Sequence, residues 1–540
     1  MALPARDRLT EVAVKGVHLG LRQVAHAPEQ RRARALSVQA AERIPPPAPD
    51  APVVAFLTPR DWAAHVQWEG VIGQALRLRG ADVRFITCGG GLEVCDRANT
   101  WESPPMPCTT CTRYVEGSVD AHGFDRVALR DGWEAADPGP WPELDALDLA
   151  ALAAAEADGL PLGPLVDIPA KWFLMAAQIQ EDPLGPQTMR AFLRSARRIA
   201  RGAAAALDRI RPDVVVLCNG LFVFEAVTWA LCRQRGIDVV TYERGMIKET
   251  LLFRRNEAAC LLAIDDLWAT WRDLPLTPAE DDELTTYLEG RRRGQRTIDR
   301  FWTDPTFDAP TRRRPGRMAV LFSNLTWDSA VIGQEVAFAS IQDWVAAAVE
   351  HMATRPDDEL VIRVHPAEVK LPGKQTREPL GEFLARRFPE LPANVRVVAA
   401  DDPTSSYPLM GAADVGLVFS STTGVELALA GTPVIVAGQS HYRGKGFTVD
   451  VSTPDEFVAA LDAALDDPDA VAPDPGLTRR YAYLFFFRAP IASPGVEEHV
   501  LGLARITVDD LDQLAPGADP AVDRICAGIL GTGDFSPPGR

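Results

Sequence analysis

Short, continuous apolar runs alternate along this chain with longer stretches in which apolar residues recur every three to four positions. The first pattern predicts buried strands, the second amphipathic helices. Val53–Leu57 reads as a strand, His65–Arg79 as a helix, and Ala81–Thr87 as a second strand that ends at Gly89-Gly90-Gly91. Residues 112–180 are less regular, with an Ala-rich helix near 145–157. A long helix follows at 187–211, with Arg194, Arg197, Arg198 and Arg201 as a solvated stripe. Asp213–Cys218, Phe222–Arg235 and Asp238–Tyr242 then repeat strand, helix, strand. Helical patterns at 265–299 and the basic, proline-containing Ala309–Arg317 read as an interdomain connection. Beyond it, strands at 318–322, 359–364, 395–398, 414–418 and 433–436 alternate with helices near 335–353, 379–388, 405–412, 424–430 and 454–467.

Such alternation implies parallel sheets covered on both faces. Two series in succession predict an α/β chain with two Rossmann-like, doubly wound domains facing a cleft, at 49–312 and 313–475. An N-terminal extension, 1–48, ends in the proline-rich AERIPPPAPDAP segment. The final part, 476–540, opens with a helix at 476–489 expected to cross back to the first domain and to bury Leu484-Phe485-Phe486-Phe487.

Composition narrows the picture. The 540 residues exceed what one core usually organises. No apolar run approaches the roughly 20 residues of a membrane span. The first residues lack a continuous apolar core, so a cytoplasmic location is expected. A net charge of −18 argues against nonspecific nucleic-acid binding. Residues 1–44 run the other way, with eight Lys/Arg against four Asp/Glu. They read either as a surface helix or as a peripheral contact with anionic lipid at the inner membrane face. The eight cysteines do not suggest a disulfide framework. Cys88, Cys95, Cys108 and Cys111 lie within 24 residues and fit either a structural zinc or reduced thiols packing a loop.

In open parallel sheets, ligands bind beyond the carboxyl ends of the strands. Three segments fall there in the second domain. Ser420-Ser421-Thr422-Thr423-Gly424 opens a helix carrying Glu426, offering hydroxyls and backbone N–H groups to a diphosphate. Thr423 and Glu426 also have the spacing of a capping box. Arg363-Val364-His365-Pro366 ends another strand, and the glycine-rich loop with His441, Arg443 and Lys445 follows a third. Its cations are expected to offset phosphate charge. In the first domain Asp61, His65 and Glu69 recur at four-residue spacing and share a face if the helix starts by Asp61. Each can serve as a base toward an acceptor hydroxyl, as can Glu243 beside Asn219-Gly220. Trp62 and Trp68 are candidates to stack on a sugar.

His365-Pro366, Ser420 through Glu426, Gly431-Thr432-Pro433-Val434 and His441 through Thr448 resemble the donor half of capsule polysaccharide biosynthesis glycosyltransferases, GT-B enzymes distantly similar to the Kdo transferases of capsule assembly. The similarity covers about 318–465. It is looser over 53–300, where Tyr242-Glu243-Arg244-Gly245 and the cysteine-bearing loop are similar too. The resemblance implies transfer from a nucleotide sugar to a glycan or lipid-linked acceptor, with the donor held by Arg363, His365, Ser420, Ser421, Thr422, Thr423, Gly424, Glu426, His441, Arg443 and Lys445. Backbone dipoles and cations would offset leaving-group charge, so no catalytic metal is expected. Alternative readings are a sugar-nucleotide 2-epimerase, a CDP-polyol phosphotransferase and a noncatalytic glycan-assembly protein.

Overall fold

The computed structural model describes residues 26–100, 108–180, 182–293, 306, 312–371, 375–499 and 503–537. The first sheet contains β1 (Val53–Thr58), β2 (Asp82–Thr87), β3 (Asp125–Ala128), β4 (Val214–Cys218), β5 (Asp238–Arg244) and β6 (Thr250–Arg255). The second contains β7 (Met318–Phe322), β8 (Glu359–Arg363), β9 (Val395–Val398), β10 (Val415–Val418), β11 (Val434–Val436) and β12 (Val449–Asp450). A short strand near the far end of the chain, β13 (Ile491–Ala492), returns to the edge of the first sheet.

The first sheet has the order β13-β6-β5-β4-β1-β2-β3. Its five strands β1 to β5 run parallel, with Val54 beside both Val83 and Val214. β6 is antiparallel to β5, and β13 in turn is antiparallel to β6. All five residues of β4 are buried, which is why a continuous apolar run encodes it: helices cover both faces. The second sheet, β12-β11-β10-β7-β8-β9, is parallel throughout. The expected class, two Rossmann-like doubly wound α/β domains, is what the chain forms. Strand order reverses between β1 and β4 in the first sheet and between β7 and β10 in the second. The loops at the carboxyl ends of these strands flank the crevices in which ligands of such sheets bind.

Several expectations are corrected by packing. The helices Asp265–Trp271 and Pro278–Arg292 lie within the predicted first domain, yet Trp268, Trp271, Leu284 and Tyr287 bury into a core shared with β7, β10 and β11. The same core takes Tyr481, Leu484, Phe485 and Phe486 of the helix Pro475–Tyr483 and the turn that continues it. The crossing segment is therefore anchored in the second domain before it reaches β13. Arg194 and Arg201 are ion-paired, to Glu93 at 2.7 Å and Asp158 at 2.5 Å, rather than merely solvated. The Ala-rich helix shrinks to Leu149–Ala153.

Residues 26–43 are helical, and Ala33, Leu36 and Ala40 bury against the Ala63–Arg77 helix and the C-terminal residues Ile506, Leu511 and Ile525. Arg43 pairs with Asp510 at 2.9 Å and with Asp512, and Arg32 with Asp509. An acidic stretch of the same chain thus engages two cations of the segment, which over 26–43 forms a helix, the first of its two readings. The rest of the basic segment, 1–25, lies outside the described residues. Among the described residues no helix is long and apolar enough to cross a membrane.

Candidate active site

In the first domain the Ala63–Arg77 helix starts two residues later than Asp61, so the three acid-base candidates do not share a face. Asp61, in the preceding loop, is ion-paired to Arg97, with a second contact at 3.2 Å. His65 and Glu69, one turn apart, converge on Tyr242 of β5. Tyr242 donates its hydroxyl to Glu69 Oε1 at 2.6 Å, and His65 Nδ1 lies 3.3 Å from the same hydroxyl oxygen. The Tyr242 hydroxyl thus links the imidazole to Glu69 and leaves the Nε2 side of the ring outside this bridge.

His65 is half-buried, and burial beside Arg244 and Arg60 holds its imidazole well below the usual range, in the neutral form. Glu69 is buried and hydrogen-bonded to Thr58 as well; burial pushes its carboxyl up to about 8. Glu69 therefore lies beneath the surface, in reach of Tyr242 and Thr58.

Glu243, the fourth candidate, ends β5. Its carboxylate accepts from Asn219 Nδ2 at 3.0 Å and from the Arg244 N–H at 2.8 Å, and burial raises its carboxyl above the usual range. Asn219 and Gly220 turn the chain at the end of β4 with φ of 63° and 98°, a left-handed pair that asparagine and glycine adopt most readily.

Beneath the loop after β1 is a buried cluster that the sequence did not reveal. Arg60 pairs bidentately with Glu225, approaches Asp96 at 3.4 Å and lies 4.3 Å below the Trp62 ring. Burial raises Asp96 to about 7. The cluster holds the Asp61-Trp62 loop; its members come from three distant segments with no motif in common. Trp68 is core, only 1% exposed, while Trp62 is half-buried.

In the second domain the expected donor residues divide into two groups. Ser420, Ser421, Thr422 and Thr423 line the end of β10, all half-buried. Ser421 Oγ accepts the Thr423 N–H at 3.3 Å and its carbonyl accepts the Tyr442 hydroxyl at 2.6 Å. The hydroxyls of Ser420, Thr422 and Thr423 have no partner among the described residues, and Asn324 from the end of β7 accepts the Ser420 N–H at 3.4 Å. Gly424 begins the turn under which Tyr442 packs, where a Cβ would run into the Tyr442 hydroxyl. His365, after β8, receives the Ala367 N–H on Nδ1 at 3.2 Å, and burial lowers its imidazole to about 4.

The remaining residues are committed elsewhere. Arg363 gives its guanidinium to the carbonyls of Ala399, Asp402 and Thr404, at 2.7–3.3 Å. Arg443 gives its own to those of Val436, Gly438 and Val451, at 2.8–3.3 Å. Lys445 is ion-paired to Asp265. These three cations, expected to face phosphate, instead fasten loops. His441 is buried against the crossing helix, with Nδ1 2.7 Å from the Tyr481 hydroxyl and its ring stacked on Phe485 at 4.1 Å. Glu426 makes no capping box, because the helix Thr423–Leu429 is preceded by Thr422 without a side-chain cap. Its carboxylate takes Arg291 and the Tyr407 hydroxyl, each at 2.8 Å.

Among the described residues no group of three His, Cys, Asp or Glu is placed to hold a metal. Cys88, Cys95 and Cys111 are buried and Cys108 half-buried. Burial pushes the Cys88 thiol up to about 12, so it stays protonated.

With the geometry in place, residues 281–467 match the family model of capsule polysaccharide biosynthesis proteins. Over that segment, which includes Ser420–Glu426 and His441–Thr448, the chain is similar to that family. No curated protein matches the chain. Among solved structures it is similar to the Thermosulfurimonas dismutans KpsC β-Kdo 2,4 transferase, at 16% identity over 56% of this chain and 86% of that one, with a TM-score of 0.36. It is also similar to the glycosyltransferase SnogD from Streptomyces nogalater, at 15% identity over 90% and 100%, TM-score 0.26. A third is the Neisseria meningitidis UDP-GlcNAc 2-epimerase, at 12% over 80% and 95%, TM-score 0.25.

Proposed function

We propose that this chain is a glycosyltransferase of surface polysaccharide biosynthesis, moving a sugar from a nucleotide-sugar donor to a hydroxyl of a glycan or lipid-linked acceptor. The observation that carries this reading is the match of 281–467 to capsule polysaccharide biosynthesis proteins, across the segment that leaves the hydroxyls of Ser420, Thr422 and Thr423 unpartnered at the switch point of the second sheet.

In this reading the two domains work as a GT-B pair on the cytoplasmic side, and the Ser420–Gly424 loop grips the donor phosphate. The acceptor hydroxyl gives its proton to His65 Nε2 as its oxygen bonds the anomeric carbon. The anomeric carbon–oxygen bond to phosphate breaks, and the nucleotide leaves with the electron pair. In this reading Nδ1 carries hydrogen toward the Tyr242 hydroxyl, and Tyr242, held by Glu69, orients the imidazole as a third group orients the base in hydrolytic triads. Backbone dipoles and loop hydroxyls meet the leaving-group charge, without a catalytic metal.

A thermal-shift panel of UDP, GDP, CMP, CDP and dTDP tests the reading, since a ligand that binds the folded state raises the melting temperature. One nucleotide should stand out, and the matching nucleotide sugar should release it faster with acceptor present. If none stabilises the chain, the proposal fails.

A further inference from the structure

A cavity of about 220 Å³ lies between the domains, walled by the chain after the Leu162–Leu174 helix on one side and by the loop after β7 on the other. Lys171, Gln178 and Gln180 line it from the first domain, and Thr326, Glu335 and Gln342 from the second. Val331, Ile332 and Phe419 also border it, but the surface it exposes is mostly polar.

Two features define what fits. The described lining carries one cation, Lys171, and its ammonium is paired with Asp167 at 2.7 Å. A phosphate or carboxylate in the cavity would therefore lose water without gaining a free counter-charge, which is unfavourable. Against this, three carboxamides and a hydroxyl supply uncharged donors and acceptors. Gln342 is only 8% exposed and its Oε1 has no hydrogen-bond partner. A buried amide oxygen of this kind is rarely left unpaired, and a ligand hydroxyl satisfies it. Glu335 adds a carboxylate that would repel a second anion, and the remaining carboxamides and hydroxyls match the hydroxyl rim of an uncharged pyranose ring.

We infer that this cavity is a subsite for an uncharged pyranose, so that the sugar seated there is a neutral one rather than a uronic or ulosonic acid. The inference rests on the glycosyl-transfer reading and sharpens it. Because the lining comes from both domains, the sugar seats only while they are apposed.

Saturation-transfer NMR on the full chain tests it, with methyl α-glucopyranoside, methyl N-acetyl-α-glucosaminide and methyl α-glucuronide as probes. The parent, Gln342→Leu and Gln178→Leu are compared, with the nucleotide thermal-shift panel run beside them. The neutral glycosides should show transfer that drops about fivefold or more in each variant, the size expected for one lost hydrogen bond. The glucuronide should show little, and nucleotide shifts should not change. Binding of free glycosides assigns the subsite to the acceptor. Transfer seen only from the sugar of a nucleotide sugar, and lost in the same variants, assigns it to the donor. A glucuronide signal equal to the neutral ones, neutral signals untouched by both substitutions, or nucleotide binding with no glycoside signal in either form would each overturn the inference. Glycoside binding without any nucleotide shift would instead leave the subsite standing and remove the transferase reading.

Discussion

Tyr242 donates its hydroxyl proton to Glu69 across 2.6 Å, joining β5 to the helix that follows β1. The same hydroxyl lies 3.3 Å from His65 Nδ1, so one buried oxygen ties the imidazole to a carboxyl that stands 173 positions away from Tyr242 in the chain.

His65→Gln should lower turnover by roughly 10² or more, the usual scale of general-base loss, with nucleotide affinity unchanged. Tyr242→Phe should lower turnover less and also shift its pH profile, because the imidazole tautomer is then free. Turnover and nucleotide affinity measured together check both variants. Full activity of His65→Gln would move the base to Glu243 or Asp61.

Stability should fall with rising pH through the window set by Glu69. Its carboxyl sits near 8 when folded, against an ordinary value near 4.5. Between those values the folded chain holds a proton that the unfolded chain has released, so each step upward in pH favours unfolding. Glu69→Gln removes this titration. The stability difference, parent minus variant, should decline from pH 4.5 to 8 by up to a few kcal/mol, at ~1.4 kcal/mol per tenfold difference in proton affinity. Denaturant melts at pH 5 and 8 measure it; a constant difference would show that Glu69 is ionised in the fold.

Arg443→Met should act on the fold and not on the ligand. Three carbonyls of the loops around β11 and β12 lose their donor, at a cost of about 1–3 kcal/mol. The melting temperature should drop on the order of 5 °C. The nucleotide-induced shift should persist. Loss of nucleotide binding in a variant with parental stability would return Arg443 to the donor site.

The contrast between Arg443 and the strands around it shows what the sequence makes legible. Buried parallel strands such as β4 and β7 are apolar on both faces, so their limits emerge from the chain within one or two residues. Ser420–Thr423 could be located at a strand end because a hydroxyl run follows the apolar β10 and opens a helix. The partners of Arg363, Arg443 and Lys445 could not, since they are carbonyls and a carboxylate brought close by folding, and a cation beside glycines looks alike whether it holds a loop or a phosphate. The Asp265–Trp271 and Pro278–Arg292 helices resembled a linker because their outer faces are charged. Only tertiary packing shows where Trp268 and Tyr287 go. Likewise β13 is only two residues long, too short for any periodicity to show.

Gly424→Ala should disturb the Ser420–Gly424 loop. The added methyl group meets the Tyr442 hydroxyl, which holds the Ser421 carbonyl at 2.6 Å. Overpacking of this kind typically costs 1–3 kcal/mol, or about that. Nucleotide affinity should fall with stability, and Tyr442→Phe in the same chain should recover part of both. No loss in the single variant would mean that the loop yields freely.

The chain leaves the first sheet through β6 and comes back, more than two hundred residues later, as β13 laid directly against it, with Leu251 opposite Ile491. Departure and return are thus neighbouring rungs of one ladder, and Pro490, with its fixed φ, stands at the return. Two tethers side by side behave like the leaves of a door hinge: they bend about the edge they share and resist twisting. Opening and closing of the cleft should therefore swing from the β6-β13 edge, with the largest travel beside β3 and almost none beside Leu251.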